Sequence, residues 1–211
     1  MVVADGIIEY DLDSRPVREA GVPQYSERVI HGEIYKARPD VMSVCHHHSP
    51  SFLPLLTTGT DYVSLNHIGV VGGIKPPWWD QHDEFGDTNM LVVKPEEGAS
   101  LARALASHQM VLMRRHGVTI VGGSVRDCVY RAIQTCRNAE CLVRALSIGP
   151  VSPLSPGEFR MASEITGTTT GVTRSWNSWV SKIIKSGDFR MAKSKNASRA
   201  KPKRRARSRR R

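Results

Sequence analysis

Val44-Cys-His-His-His-Ser-Pro50 closes a short apolar run that begins at Val41, and its three consecutive histidines decide how the chain is read. In an extended segment successive side chains face opposite sides, so His46 and His48 share one side and His47 takes the other. Two imidazoles therefore converge. A third, from His116 in Met113-Arg-Arg-His-Gly-Val118, would complete a three-nitrogen face that accepts a divalent ion and leaves a position open for substrate. Glu27 precedes His31 by four residues, the spacing that puts two side chains on one helix face a turn apart.

Working outward, residues 6–12 read as a short strand ending in Asp11-Leu-Asp, followed by a Pro- and Gly-containing loop to Pro23. The spacing of Val29, Ile30 and Ile34 predicts a helix over 26–38, capped by Ser26 and stopped before Pro39. A strand over 41–46 then delivers the histidines at its end. Residues 63–71 are mixed, and Trp78-Trp79-Asp-Gln-His-Asp-Glu-Phe-Gly reads as irregular loop. A helix over 95–107 and strands over 110–113 and 118–121 follow, with His116-Gly117 at the turn between the strands. Ser124 opens a long helix to Ile148, with Val125, Val129, Ile133, Cys136, Leu142 and Leu146 assigned to its inner side. Helices alternating with strands define an α/β class.

The 211 residues suit one domain over 1–192 followed by a tail at 193–211. The formal charge of +10 points at first to a polyanion, but residues 193–211 hold eleven of the 30 Lys and Arg and no acid, which leaves the rest at −1. The body is not a nucleic-acid binder by charge. The tail has nothing apolar beyond alanine to bury and reads as disordered. Attachment to nucleic acid or an anionic surface, if it occurs, would run through that tail, and its deletion would then abolish retention on heparin or DNA. Four cysteines, none in a Cys-x-x-Cys pair and three within one predicted helix, make a poor disulfide framework and suit a reducing cytoplasm. No basic leader and no apolar stretch of about 18 residues is present, so neither secretion nor a membrane span is expected.

Each motif alone has a plainer account. A histidine at a strand end is usually exposed or already hydrogen-bonded, Glu27 by itself reads as a solvated first-turn carboxylate, and His-Gly occurs in ordinary turns. Taken together, Pro23-Gln-Tyr-Ser-Glu-Arg-Val-Ile-His31, Val44-Cys-His-His-His-Ser-Pro50 and Val111-Leu-Met-Arg-Arg-His-Gly-Val118 resemble the class II aldolase/adducin family in order and spacing. The resemblance covers about residues 6–180. It implies a three-layer α/β/α sandwich with a central mixed sheet, a divalent metal, Zn or Mn, held by His46, His48 and His116, and Glu27 as the catalytic acid/base or fourth ligand. It also implies a homotetramer acting on a small-molecule substrate. Glu84-Phe-Gly-Asp-Thr-Asn-Met-Leu-Val92 and Leu154-Ser-Pro-Gly-Glu158 are most similar to the branch containing the pyridine-dicarboxylate decarboxylase.

The implied function is a metal-dependent carbon–carbon lyase, aldolase or decarboxylase, working through an enolate on a hydroxy-carbonyl or hydroxy-carboxylate compound. His47 is expected to pack or to support the ligands from behind, His31 to brace Glu27 or the helix rather than to bind metal, and His67, His82 and His108 to be ordinary. Arg174 reads as a surface or interface residue. Family members carry Gly-Asn and Ser-Gly loops before the Asp-Leu-Asp segment, and the chain reads as starting after them. The alternatives are therefore a non-catalytic scaffold resembling the adducin head or an inactive, shortened homologue.

Overall fold

The computed structural model describes residues 6–18, 21 and 23–187. Four strands, β1 (Ser43–His47), β2 (Trp78–Trp79), β3 (Met110–Met113) and β4 (Gly117–Gly122), form one sheet in the order β1-β4-β3-β2. β4 runs antiparallel to both β1 and β3, while β2 is parallel to β3, so the sheet is mixed, as expected. The helices are α1 (Arg28–Ala37), α2 (Leu53–Thr58), α3 (Gln81–Phe85), α4 (Pro95–Leu105), α5 (Val125–Ile148), α6 (Pro156–Ile165) and α7 (Thr169–Ser186).

The period-two alternation of the strands divides the core between two faces. Val111, Met113 and Val121 meet Ile30 and Ile34 of α1 and Leu101 and Leu105 of α4. Met110, Leu112, Val118 and Ile120 meet Leu55 and Leu56 of α2 and Cys128, Ala139 and Leu142 of α5. Helices thus cover both sides, which explains why Met110-Val-Leu-Met113 is an unbroken apolar run rather than an alternating one. This is the three-layer α/β/α arrangement.

Several local expectations need correction. No strand forms over 6–12. Asp11 Oδ1 instead accepts from the Arg15 N–H at 2.8 Å, Ser14 adopts φ 61°, and only an isolated bridge joins Tyr10 to Pro16. A tight turn, closed by the Ser14 N–H donating to Asp11 O at 2.9 Å, has won over extension. Trp78 and Trp79 are a strand, not irregular loop. The Leu112 N–H donates to Pro77 O and the Arg114 N–H to Trp79 O, while Trp79 Nε1 donates to Ser100 Oγ at 2.9 Å. Two residues carry no readable alternation, so only the β3 edge reveals this strand.

Ser124 caps α5 as expected, accepting from the Asp127 N–H at 3.1 Å. Its inner face, however, runs through Cys128, Thr135, Ala139 and Leu142, whereas Val125 and Leu146 are 59% and 44% exposed. A helix of 24 residues is about 36 Å long. Strands of four to six residues are about 20 Å at most, so α5 is longer than the strands it packs on. All four cysteines are free thiols. No helix among the described residues is long and apolar enough to cross a membrane. The basic segment 193–211 lies outside the described residues.

Candidate metal centre

The end of β1 presents its histidines alternately. His47 points to the α2–α5 side, its ring 6.0 Å from that of Phe52 and its Nε2 3.9 Å from Cys136 Sγ. Burial, helped by the neighbouring His46 and His48, pushes His47 down to about 4, so it packs as a neutral ring. His46 and His48 point to the α1 side, with their Nε2 atoms 2.9 Å apart. His116 arrives from the turn between β3 and β4, and its ring centroid lies 5.0 Å from that of His46 and 4.8 Å from that of His48.

Gly117 permits this approach. A Cβ there would stand 2.6 Å from His48 Cδ2, 2.7 Å from the His47 carbonyl oxygen and 3.2 Å from His46 Cε1. The glycine of His-Gly is therefore a matter of clearance between two strand ends, not of backbone conformation.

Glu27 closes the cluster from above. It is the N-cap residue of α1 rather than part of the first turn, makes no capping bond, and is 2% exposed, which corrects both the Ser26 cap and the solvated carboxylate. Its Oε1 lies 3.2 Å from His116 Nε2, and its Oε2 lies 3.6 Å from His46 Nε2 and 4.0 Å from His48 Nε2. The Val92 N–H donates to Oε1 at 3.1 Å and the Tyr25 hydroxyl to Oε2 at 3.3 Å. Burial raises the Glu27 carboxyl, but His116, His46 and the Val92 N–H outweigh it and hold the group well below the usual carboxylate range. Burial first, then the Glu27 charge, pushes the Tyr25 phenol up to about 12, so it remains a neutral donor.

One donor atom from each of Glu27, His46, His48 and His116 lies within 4.8 Å of every other. The chemistry of these donors fits a divalent ion in three ways. First, both ring nitrogens of His116 are buried without a hydrogen-bond partner, although Nε2 faces the carboxylate, an arrangement costly for a polar atom unless a ligand satisfies it. Second, Thr119 Oγ1 donates to Met113 Sδ at 3.2 Å, so its oxygen is left to accept from His46 Nδ1 at 3.1 Å. That places the His46 proton on Nδ1 and the lone pair on Nε2, toward the cluster. Third, burial, with His46 and His116, lowers His48 and favours the neutral imidazole that ligation requires. The His46, His116 and Glu27 side chains are nearly enclosed, whereas that of His48 is 50% exposed, so the cluster opens to solvent on the His48 side.

His31 does not brace Glu27. It sits edge-on to Tyr25, with ring centroids 6.3 Å apart, and Tyr25 and Val92 supply the bracing instead. Neither His31 nor His67, His82 or His108 joins the cluster. Arg174 lines a separate groove with Arg137 and Lys182, walled by none of the four clustered residues. Thr119, Tyr25 and Val92 escaped the sequence. The first could be found only from strand register, which pairs Thr119 with His46.

A mixed sheet between helical layers, with three imidazoles and a carboxylate converging at its strand ends, defines an α/β domain with a donor cluster that could hold a divalent ion. The chain belongs to the class II aldolase and adducin family, whose N-terminal domain model matches residues 1–143. A decarboxylase of Talaromyces stipitatus, TropJ, is 33% identical over 202 residues, covering 86% of this chain and 76% of TropJ. The 3,4-dihydroxyphthalate decarboxylase of Arthrobacter keyseri is 28% identical over 148 residues, covering 66% of this chain and 57% of that enzyme. Among solved structures, an aldolase II superfamily protein from Pseudomonas syringae superposes with a TM-score of 0.73 at 19% identity, covering 88% of this chain and 74% of its own.

Proposed function

We propose that the chain is a divalent-metal-dependent carbon–carbon lyase of the decarboxylase type, acting on a small hydroxy-carboxylate. His46, His48 and His116 would hold the ion, Zn or Mn, and Glu27 would act as general acid/base. The observation that carries this reading is the convergence of four donor atoms within 4.8 Å, with the buried Nε2 of His116, which faces Glu27, without a hydrogen-bond partner. Similarity to two decarboxylases supports decarboxylation over aldol cleavage.

A bound ion supplies Lewis-acid stabilisation of the oxyanion charge that develops when a carbon–carbon bond breaks. The protein's own groups do the rest. The exposed edge of His48 admits substrate, the enclosed His46 and His116 keep water from the opposite side, and Thr119 holds His46 in the ligating tautomer. Glu27 lies within reach of that space through Oε2, while Oε1 stays anchored to the Val92 N–H, so one oxygen orients the carboxylate and the other handles the proton. The hydrogen bond from Tyr25 reaches this working oxygen.

A homo-oligomer, as the family resemblance implies, is supported by the C-terminal helices. α6 buries no residue, α7 buries only Val172, and Ile165 and Ile184 are 74% and 53% exposed. Such faces need a partner, and a second copy is the simplest one.

Elemental analysis of the purified protein beside His48→Ala, followed by carbon dioxide release from a panel of hydroxyaromatic and hydroxyaliphatic acids, tests the reading. One equivalent of metal lost in the variant, with turnover only in the metal-bound form, is expected. Absence of metal after loading would overturn it. Stoichiometric metal without turnover on any acid, aldol or sugar-phosphate substrate would favour the scaffold reading.

A further inference from the structure

We infer that Gln81 is a positioning residue for Glu27, acting through the Leu91–Val92 peptide group. The inference rests on the lyase reading above and adds to it the device that holds the acid/base carboxylate in place.

Gln81 opens α3, two residues beyond β2, and is buried, at 6% exposure. Its Nε2 donates to Leu91 O at 3.2 Å, and its Oε1 accepts from the Thr88 hydroxyl at 3.0 Å. The Leu91 carbonyl and the Val92 N–H are two ends of one peptide group, and that N–H is the donor to Glu27 Oε1 at 3.1 Å. A peptide group is planar and trans, with C=O and N–H pointing in opposite directions, so a hold on the oxygen fixes the line along which the N–H points. Hydrogen bonds at both ends of one peptide also polarise it in the same sense. Gln81, the peptide and Glu27 thus form one hydrogen-bonded chain from the edge of the sheet to the histidine cluster.

The segment that carries this peptide has little else to fix it. Among the described residues, 87–93 make no backbone–backbone hydrogen bond. Each backbone N–H from Met90 to Lys94 goes instead to a side chain: Met90 to Thr88, Leu91 to Asn89, Val92 to Glu27, and Val93 and Lys94 both to Glu97 Oε2. Thr88 and Asn89 belong to the segment itself and cannot locate it. Glu97, in the first turn of α4, ties its far end, and Gln81 ties its near end. The fully buried Val92 side chain anchors the residue but not the tilt of the peptide that precedes it. Between the two ties Met90 adopts φ 67°, a conformation that is costly for a residue with a Cβ and persists where its surroundings impose it. The Gln81 amide supplies what this place requires, a donor toward a carbonyl and an acceptor toward a hydroxyl.

Gln81→Met keeps the length of the side chain and removes both hydrogen bonds. Zinc affinity is measured by competition with a chromogenic chelator in wild type, Gln81→Met, Glu27→Ala and the double variant. Amide hydrogen exchange is followed at Val92 and Leu112 in metal-free wild type and Gln81→Met. Outer partners of a ligand carry about tenfold to a hundredfold in metal affinity, and Gln81→Met, one bond further out, should cost about tenfold. In the Glu27→Ala background the same change should cost less than about twofold, because a group that acts through Glu27 has nothing left to position. Val92 should exchange faster in Gln81→Met, while Leu112, whose N–H is tied to Pro77 O in the sheet, keeps its protection. Wild-type zinc affinity in Gln81→Met, a loss that persists undiminished in Glu27→Ala, or equal acceleration at Val92 and Leu112 would overturn the assignment and leave the metal site standing. Failure of the wild type to take up zinc would remove the lyase reading instead, and the exchange comparison, made without metal, would still decide whether Gln81 holds the Val92 peptide.

Discussion

Gly117→Ala adds one methyl group where two strand ends meet at the histidine cluster. Its Cβ would stand 2.6 Å from His48 Cδ2, 2.7 Å from the His47 carbonyl oxygen and 3.2 Å from His46 Cε1. The two imidazoles can rotate, but the carbonyl oxygen belongs to β1, whose pairing with β4 sets it opposite Val118. Overpacking typically costs about 1–3 kcal/mol, and a clash with paired backbone belongs in the upper half of that range. For a chain of this size about 2–4 °C is lost per kcal/mol, so the melting temperature should fall by about 4–12 °C. Metal binding should suffer separately, because both rings displaced by the methyl are candidate ligands. Loss of ligand orientation costs about tenfold to a hundredfold in affinity. The assay is thermal unfolding with and without added zinc or manganese, together with competition against a chromogenic chelator. Gly123→Ala, whose Cβ would meet nothing within 4 Å, is the control and should change neither reading. Wild-type metal affinity in Gly117→Ala would refute the claim that the glycine clears the space in which His46 and His48 converge.

Glu27→Gln keeps the shape but removes the charge facing three imidazoles; metal affinity should fall at least tenfold and turnover should be lost, and a fully active variant would exclude Glu27 from proton transfer. Thr119→Val deletes the acceptor of His46 Nδ1 without changing side-chain volume, so metal affinity should drop about tenfold to a hundredfold in a protein that still folds; unaltered affinity would show that the tautomer of His46 is set elsewhere. In chelator-stripped protein, His47 titrates near 4 when folded and near 6.5 when unfolded, so the unfolded chain binds the extra proton between those values. Its contribution to stability is complete above about pH 6.5 and is lost as pH falls toward 4, at up to about 1.4 kcal/mol per pH unit. His47→Asn should flatten that dependence in denaturant melts across pH 4–7, and an identical slope would place the effect on another group.

The sequence by itself determined the features that depend on neighbours along the chain. Alternation in an extended segment separated His46 and His48 from His47, the run Met110-Val-Leu-Met113 announced a strand covered on both faces, and Ser124 marked the start of α5. Resemblance across three motifs added Glu27 and His116 to the same site. Tertiary structure decided what depends on residues far apart. It buried Glu27 at the N-cap of α1 with Val92, 65 positions away, as its donor, and it paired Thr119 with His46 through the register of β4 on β1. It made a strand of Trp78–Trp79 because the edge of β3 had hydrogen bonds to offer, and it bent 11–15 into a turn where an aspartate competed for the backbone. Local pattern encodes which way a side chain faces and so brings His46 and His48 together; that Glu27 and His116 meet them there is set by long-range pairing.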